Sequence, residues 1–266
     1  EGAFRDGPTP TVASVDEYRR ELIRRGWSYE SRVIVSAAGR DVGYVDWRSR
    51  GKASELLGLY LLPAERRGGI GRWAIRRACV ELTCRGTRRV TALVYAQNEP
   101  SLKACRAAGL GGERLLGRQE SGRSVLKLTR SLRMPERLGP RFALYSSLRG
   151  QNRFLEHATA AEAISERFGA LQGVQAVLGL GSLGRGFADE HSDLDLAVLG
   201  NARAFDSLWR GERWISGLDV DLFGVDLDAS PPGSWDVGRR QAFREGVVLF
   251  RRDRSLVTLI RHAVSL

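Results

Sequence analysis

The sequence predicts two α/β (α+β) domains in tandem, each a mixed sheet with flanking helices. Three observations lead there. A chain of 266 residues is long for one ordinary domain and fits two. Strand-like and helix-like periods alternate twice along it, with a seam between the two series. The net charge of +11 is also divided unevenly. Residues 1–133 hold 26 Lys+Arg against 14 Asp+Glu, or +12, whereas residues 134–266 hold 16 against 17, or −1.

In the first series, Val15 to Arg25 reads as a helix. Arg32–Ser36 and Val42–Trp47 read as strands of a hairpin with Gly39 in its turn. Ser54–Leu62 is a third strand, ended by Pro63 and followed by a Gly/Arg turn. Trp73, Ile75, Ala78, Cys79 and Leu82 recur at helical spacing within Arg72–Arg85. Val90–Tyr95 is a strand. Asn98-Glu99-Pro100 opens a second helix, with Pro100 suited to a first turn, and Gly109 closes it. Two strands are expected near 113–118 and 123–130.

The seam runs from Ser131 to Pro140 and holds Met134-Pro135 and Gly139-Pro140. Met134 is the single methionine, a start codon if two genes had fused. The expected domains are 1–133 and 155–266, with 134–154 as linker. Beyond the seam, a helix is expected over 158–171. Val174–Leu180, Leu194–Leu199 and Leu218–Val225 read as strands. No internal repeat or low-complexity segment is visible.

Composition narrows the function classes. Hydrophobic residues at 42% and charged residues at 27% describe a globular protein, not a disordered tail or a collagen. No apolar run reaches 18 residues, so no membrane partner is expected. The opening Glu1-Gly2-Ala3-Phe4-Arg5-Asp6 has no apolar core of a signal peptide, and its lack of an initiator Met fits a fragment or a processed chain. Cys79, Cys84 and Cys105 are an odd set without metal-type spacing, which suits buried thiols in a reducing, cytoplasmic setting. Only three of the 42 basic residues are lysines, a bias expected of GC-rich coding. The basic half permits nucleic acid as a partner, but a polyanionic cofactor explains part of the same charge.

Two constellations carry chemistry. The first is Leu59-Tyr60-Leu61-Leu62-Pro63-Ala64-Glu65-Arg66-Arg67-Gly68-Gly69-Ile70-Gly71-Arg72, which joins a strand to a helix. Gly69 and Gly71 clear side chains from backbone N–H groups at a helix start, where the dipole favours an anion. Arg66, Arg67 and Arg72 add positive charge. The pattern predicts a pyrophosphate cradle. Arg-x-x-Gly-x-Gly after a strand resembles motif A of the GCN5-related N-acetyltransferases (GNAT), and Asn98 and Gly109 match the spacing of the family's next helix. The resemblance covers about residues 30–130. It implies acetyl-CoA bound through Gly68, Gly69, Ile70, Gly71 and their arginines, with the backbone of Leu59 and Leu61 pairing with pantetheine and Asn98 touching it. Glu55 stands where the family often relays the amine proton. Cys105 replaces the family's thiolate-protonating tyrosine, and a core position is expected for it. The family builds part of the acceptor pocket from two N-terminal helices. One is expected here, so the acceptor side is either truncated or supplied from outside this chain.

The second constellation is Leu180-Gly181-Ser182-Leu183-Gly184-Arg185 followed by Ser192-Asp193-Leu194-Asp195-Leu196. Gly181 and Ser182 follow an apolar strand and offer N–H and hydroxyl donors to a triphosphate, with Arg185 to steady it. Asp193 and Asp195 alternate on a strand, so both carboxylates share a face. Such a pair is costly without a cation, and hard oxygens suit Mg²⁺. This pattern is similar to minimal nucleotidyltransferases of the DNA polymerase β superfamily, over about residues 155–255. The similarity places the third carboxylate on Asp221, with Asp219 as second choice, and a nucleoside triphosphate, expected to be ATP, as donor.

Three readings of function follow. A bifunctional enzyme would acetylate and nucleotidylate small amino or hydroxyl compounds such as aminoglycoside-like molecules. A nucleotidyltransferase of toxin–antitoxin type would modify a protein or RNA end, with the acetyltransferase as partner. A sensor would bind acetyl-CoA and nucleotide without turnover. Neither the acceptors nor the oligomeric state are legible in the sequence.

Overall fold

The structure is a computed structural model that describes residues 12–36, 38–118, 123–133, 135–139, 153–201, 204–205, 214–215 and 218–265. The chain divides into two compact units, Glu1–Met134 and Pro135–Leu266.

The first unit begins with helix α1 (Val12–Arg24) and the hairpin β1 (Ser28–Val35) and β2 (Asp41–Arg50). Gly39, at φ 74°, takes the left-handed turn that Cβ-bearing residues avoid. β1 starts four residues before the expected Arg32, because Ser28 to Ser31 continue the antiparallel register against Ser49 to Asp46. Then come β3 (Ala53–Leu61), α2 (Ile70–Cys84), β4 (Arg89–Tyr95), α3 (Glu99–Ala107), β5 (Gly111–Arg118) and β6 (Ser124–Ser131). The sheet order is β1-β2-β3-β4-β6-β5. Every pairing is antiparallel except β3 with β4.

That parallel pairing is short. It joins Ala53–Leu56 to Arg89–Ala92 and stops. On the other edge of β3, Trp47 faces Leu56 and Asp46 faces Gly58, so Leu57 is an extra residue. Such a bulge bends its strand and increases the local twist. Beyond it, residues 58–61 stay paired with β2, but among the described residues no strand pairs with their β4-facing edge. The two parallel strands therefore part at Leu57. Val45, Trp47, Leu56, Val90, Ala92 and Val94 face one side of the sheet and pack under Ile75, Cys79, Leu82 of α2 and Leu102, Cys105 of α3.

In the second unit, β7 (Glu136–Arg137) precedes α4 (Phe154–Gly169), β8 (Val174–Gly179), the short α5 (Gly181–Arg185), β9 (Leu194–Gly200), β10 (Trp214–Ile215), β11 (Leu218–Asp226), α6 (Val237–Arg244), β12 (Val247–Arg251) and α7 (Arg254–Ser265). The order is β10-β11-β9-β8-β12-β7, with β11 parallel to β9 and the other pairings antiparallel. Two differences from expectation stand out. Glu136–Arg137, inside the expected linker, adds a strand to β12, because Leu138 beside it is buried and Arg251 and Arg261 grip Glu136. α4 starts at Phe154 and not at 158, since Phe154 packs into the core under the helix.

The central strands are buried on both faces. Leu194, Leu196 and Val198 of β9 face α4, and Ala197 and Leu199 face the stacked rings of Trp235 and Phe243, 4.6 Å apart. Asp195 is the one polar residue in that strand. No helix among the described residues is long and apolar enough to cross a membrane.

Leu128, fully buried in the middle of β6, ties the first sheet to α2 and α3. Leu128→Ala is expected to cost about 2–5 kcal/mol, read as a lower urea midpoint for the first unit. An unchanged midpoint would remove Leu128 from the core.

Candidate active sites

In the first unit, the loop from β3 to α2 holds two left-handed residues, Arg67 at φ 72° and Gly69 at φ 84°. A non-glycine residue there is strained by about 1–3 kcal/mol, a conformation often found where backbone amides are turned toward a ligand. Gly69 is the residue before α2, so the amides of Ile70, Gly71 and Arg72 have no partner within the helix. Gly68 and Gly69 leave the approach open, while a Cβ on Gly71 would press on the Leu59 side chain at 3.3 Å. Arg67 and Arg72 are exposed beside the loop, without an ion pair among the described residues. Arg66 differs from expectation. Its Nε donates to the carbonyl of Leu61 at 3.0 Å and its guanidinium lies over Tyr60, so it braces β3.

Leu59 and Leu61 lie on the stretch of β3 whose β4-facing edge is open. Asn98 caps α3, its side-chain oxygen accepting from the Ser101 amide at 3.3 Å. The carboxamide nitrogen is what remains for a ligand. Cys105 is 5% exposed within the core, and burial pushes its thiol up to about 11. A thiol held protonated among apolar side chains is a packing group.

Glu55 stands on the closed part of the sheet, level with Thr91 of β4. Its Oε2 accepts from Arg48 Nε at 3.1 Å and Nη2 at 2.6 Å, and Arg48 in turn lies over Trp27. The carboxylate nearer the parting of the strands is Asp46, which belongs to no motif in the sequence. It faces Gly58 across the bulge. Its Oδ2 accepts from the Tyr29 hydroxyl at 2.9 Å, and its Oδ1 is buried against Gly58 with no hydrogen bond of full geometry. Burial pushes this carboxyl above the usual carboxylate range, and the Tyr29 hydroxyl offsets only part of that.

In the second unit, β8 runs into Gly181, at φ 46°. A Cβ there would overlap Oδ2 of Asp195, so only glycine lets the loop cross this carboxylate. Ser182 is 2% exposed, and its hydroxyl donates to the carbonyl of Asp193 at 3.3 Å. Its side chain thus straps the loop to the strand; the amides remain for a ligand. Asp195 stands level with Asp221 of β11. Burial, and then the charges of Asp193 and Asp221, push the Asp195 carboxyl up, while Arg185 opposes them. Arg185 itself reaches Glu245 at 3.4 Å.

His157 was not legible as a site residue. It is fully buried on α4; Nε2 donates to the carbonyl of Ser192 at 2.9 Å, and Nδ1 faces that of Arg153 at 3.2 Å. Asp189 accepts from the Ser192 hydroxyl at 2.8 Å and the His191 amide at 3.0 Å, which holds its carboxyl below the usual range. Together these bonds fix the residues that lead into Asp193. Among the described residues no three metal-type side chains are close enough to enclose an ion as they stand. Asp193 and Asp221 nonetheless lie near enough for their charges to add to burial in raising the Asp195 carboxyl, a repulsion that a hard dication would relieve.

Comparison with known proteins assigns a family to each half of the chain. Residues 6–110 match the acetyltransferase (GNAT) family, and residues 159–246 match the nucleotidyltransferase domain family. No curated protein matches the chain. Similar solved structures include spermidine N-acetyltransferase from Vibrio cholerae in complex with CoA and spermine, at 16% identity over 47% of this chain and 78% of that one, TM-score 0.41. Phosphinothricin acetyltransferase from Sinorhizobium meliloti in complex with AcCoA has 22% identity over 46% and 70%, TM-score 0.37. RimJ from Mycobacterium smegmatis in complex with CoA-disulfide has 23% identity over 45% and 60%, TM-score 0.39. The chain is a transferase that joins a GNAT-family acetyltransferase domain to a nucleotidyltransferase domain.

Proposed function

We propose that the protein is a bifunctional transferase. Its first unit moves the acetyl group of acetyl-CoA to an amine, and its second moves a nucleotidyl group from a nucleoside triphosphate, ATP first among candidates, to a hydroxyl. The observation that carries the first half is the parting of β3 from β4 beside a left-handed, glycine-lined loop at the start of α2. A pantetheine arm can pair with the backbone of Leu59 and the amide of Leu61 on the open edge, while a pyrophosphate meets the amides of Gly68, Gly69, Ile70 and Gly71 and the charges of Arg67 and Arg72. A backbone amide on the same open edge is placed to receive the oxyanion of the attacked thioester. Arg66 and Asn98 support this site, one by bracing β3 and the other by capping α3.

In the second half, Asp193, Asp195 and Asp221 would hold Mg²⁺. When bound, such ions supply charge neutralisation for the triphosphate and activate the acceptor oxygen. Gly181 lets the loop backbone approach, and the amides of Gly181 and Ser182 are the donors offered to phosphate oxygens. Arg185 offsets negative charge beside Asp195. His157, Ser182 and Asp189 keep Asp193 in place. Small amino and hydroxyl compounds, such as aminoglycoside-like molecules, offer acceptors for both chemistries. Mass spectrometry of such compounds incubated with acetyl-CoA, ATP and Mg²⁺ tests the reading: gains of one acetyl or one AMP unit are expected, and neither gain would end it.

Asp193→Asn and Asp195→Asn should each abolish nucleotidyl transfer and leave acetyl-CoA binding intact by calorimetry. Wild-type transfer by either variant would refute the metal assignment. Gly69→Asp should weaken acetyl-CoA binding at least tenfold, about 1.4 kcal/mol, because it sets a charge and a side chain against the pyrophosphate. Cys105→Ala should keep acetyl transfer within about threefold, and a hundredfold loss of kcat would instead make the thiol the general acid.

A further inference from the structure

We propose that the acceptor amine binds as an alkylammonium at Asp46, and that Asp46, not Glu55, takes its proton; this rests on the acetyl-transfer reading above. Alternation along β2 sets Asp46 on the face opposite Val45 and Trp47, away from α2 and α3. The loop that would hold the pyrophosphate opens the first turn of α2, so an amine arriving from the other face meets the thioester without crossing the cofactor. Asp46 lies level with Gly58, the residue after the bulge, where β3 leaves β4.

The surroundings of Asp46 favour a cation with an apolar stem. Tyr29 of β1 donates its hydroxyl to Oδ2. Tyr44 of β2 is near enough that the charge of Asp46 helps burial to raise its phenol. Tyr44 stacks on Tyr60 of β3, their centroids 5.8 Å apart. Ring faces beside a carboxylate attract ammonium groups and cover alkyl carbons. Arg50, exposed at the end of β2, shares this face. Arg48 and Glu55 neutralise one another, and Arg66 lies over Tyr60 and holds the Leu61 carbonyl. Among the described residues Asp46 has no ion-pair partner; its Oδ1 is buried against Gly58, so the ammonium would meet Oδ2, the oxygen that accepts from Tyr29.

The step balances as follows. Asp46 accepts one proton from R–NH₃⁺. The freed nitrogen lone pair forms the C–N bond while the carbonyl π pair moves to oxygen. Collapse restores the carbonyl and breaks the C–S bond, its electron pair leaving on sulfur. The proton shed by the amide nitrogen goes to the thiolate, giving CoA-SH, and the proton on Asp46 passes to water. Burial suits Asp46 to this work, since a carboxylate that binds its proton more tightly than usual is the stronger base.

The test uses the full chain with acetyl-CoA and three probes: n-butylamine, 1,4-diaminobutane and benzylamine. Calorimetry first establishes acetyl-CoA binding by wild type, Asp46→Asn and Tyr29→Phe. Failure of wild type to bind it ends the acetyltransferase reading, not this proposal alone. With acetyl-CoA bound, at least one probe should bind and be acetylated by wild type. In Asp46→Asn, kcat/KM at pH 7 should fall about 100-fold. That deficit should shrink to about tenfold by pH 9, as solvent supplies more free amine. The acid limb of the wild-type profile should vanish in Asp46→Asn and move to higher pH in Tyr29→Phe, which loses the bond that favours the charged carboxylate. A raised native pKa also means that ionised Asp46 costs stability above the ordinary carboxylate range and helps below it. Asp46→Asn should therefore melt no lower than wild type at pH 7, which a merely structural aspartate would not allow. The proposal is overturned if acetyl-CoA binds but no probe does. It is equally overturned if Asp46→Asn keeps the wild-type rate and acid limb, or if Glu55→Gln is the variant that loses the limb.

Discussion

The first unit depends on one backbone irregularity, the bulge at Leu57. A parallel pair of strands in the middle of a sheet normally hides both of its hydrogen-bonding edges. Here β3 stays bonded to β2 but parts from β4 after Leu56 and Ala92, leaving the β4-facing polar backbone along 58–61 without a strand partner among the described residues. Buried backbone left in that condition is costly unless a ligand or water completes it. The bulge also moves Gly58 opposite Asp46, because two residues of β3 span the place of one on β2. The open edge and the placement of Asp46 beside it therefore come from a single extra residue. The same geometry separates Glu55, still on the closed part of the sheet, from Asp46 at its opening.

The second unit concentrates negative charge where its sheet is most apolar. Asp195 interrupts a run of leucine, alanine and valine that is otherwise fully buried, and it lies level with Asp221. Burial, with the charges of Asp193 and Asp221, raises the Asp195 carboxyl, and rigid support holds it there. That support is specific. Gly181 clears Oδ2, the Ser182 hydroxyl ties down the backbone of Asp193, and buried His157 fixes Ser192 before it. The aspartates thus stand on one strand pair while the loop that crosses them is pinned from three sides.

The sequence exposed those features whose signal is local. Glycines at 69, 71 and 181, the Asp-x-Asp alternation and the helix opening at Asn98 are short-range patterns, and the elements formed around them as their periodicity implied. The features it concealed depend on partners far along the chain. Asp46 is one of two acidic residues on its strand until the bulge, eleven residues later, sets its neighbour. Glu55 looked free because Arg48, its cross-strand partner in the hairpin, became apparent only with the register. A lone histidine at 157 says nothing until Ser192 comes to meet it. The two-residue strand at 136–137 is too short to carry a period; long-range grips on Glu136 by Arg251 and Arg261 define it.

The basic excess of the first half also has a structural distribution. Arg32, Arg77 and Arg85 surround the nearly buried Glu81, Arg106 pairs with Glu113, and Arg48 pairs with Glu55. These charges are spent on holding elements together and contribute little field at a distance. Arg67 and Arg72, by contrast, sit exposed at the start of α2, where the helix amides add their own partial positive charge. Screening limits exposed charges to about 8 Å at physiological salt, so field strength depends on local density and not on the total of +11. A positive focus at one loop selects a compact polyanion such as a pyrophosphate. A duplex nucleic acid instead needs charge spread along several phosphates, and the five arginines above are committed to ion pairs within the fold.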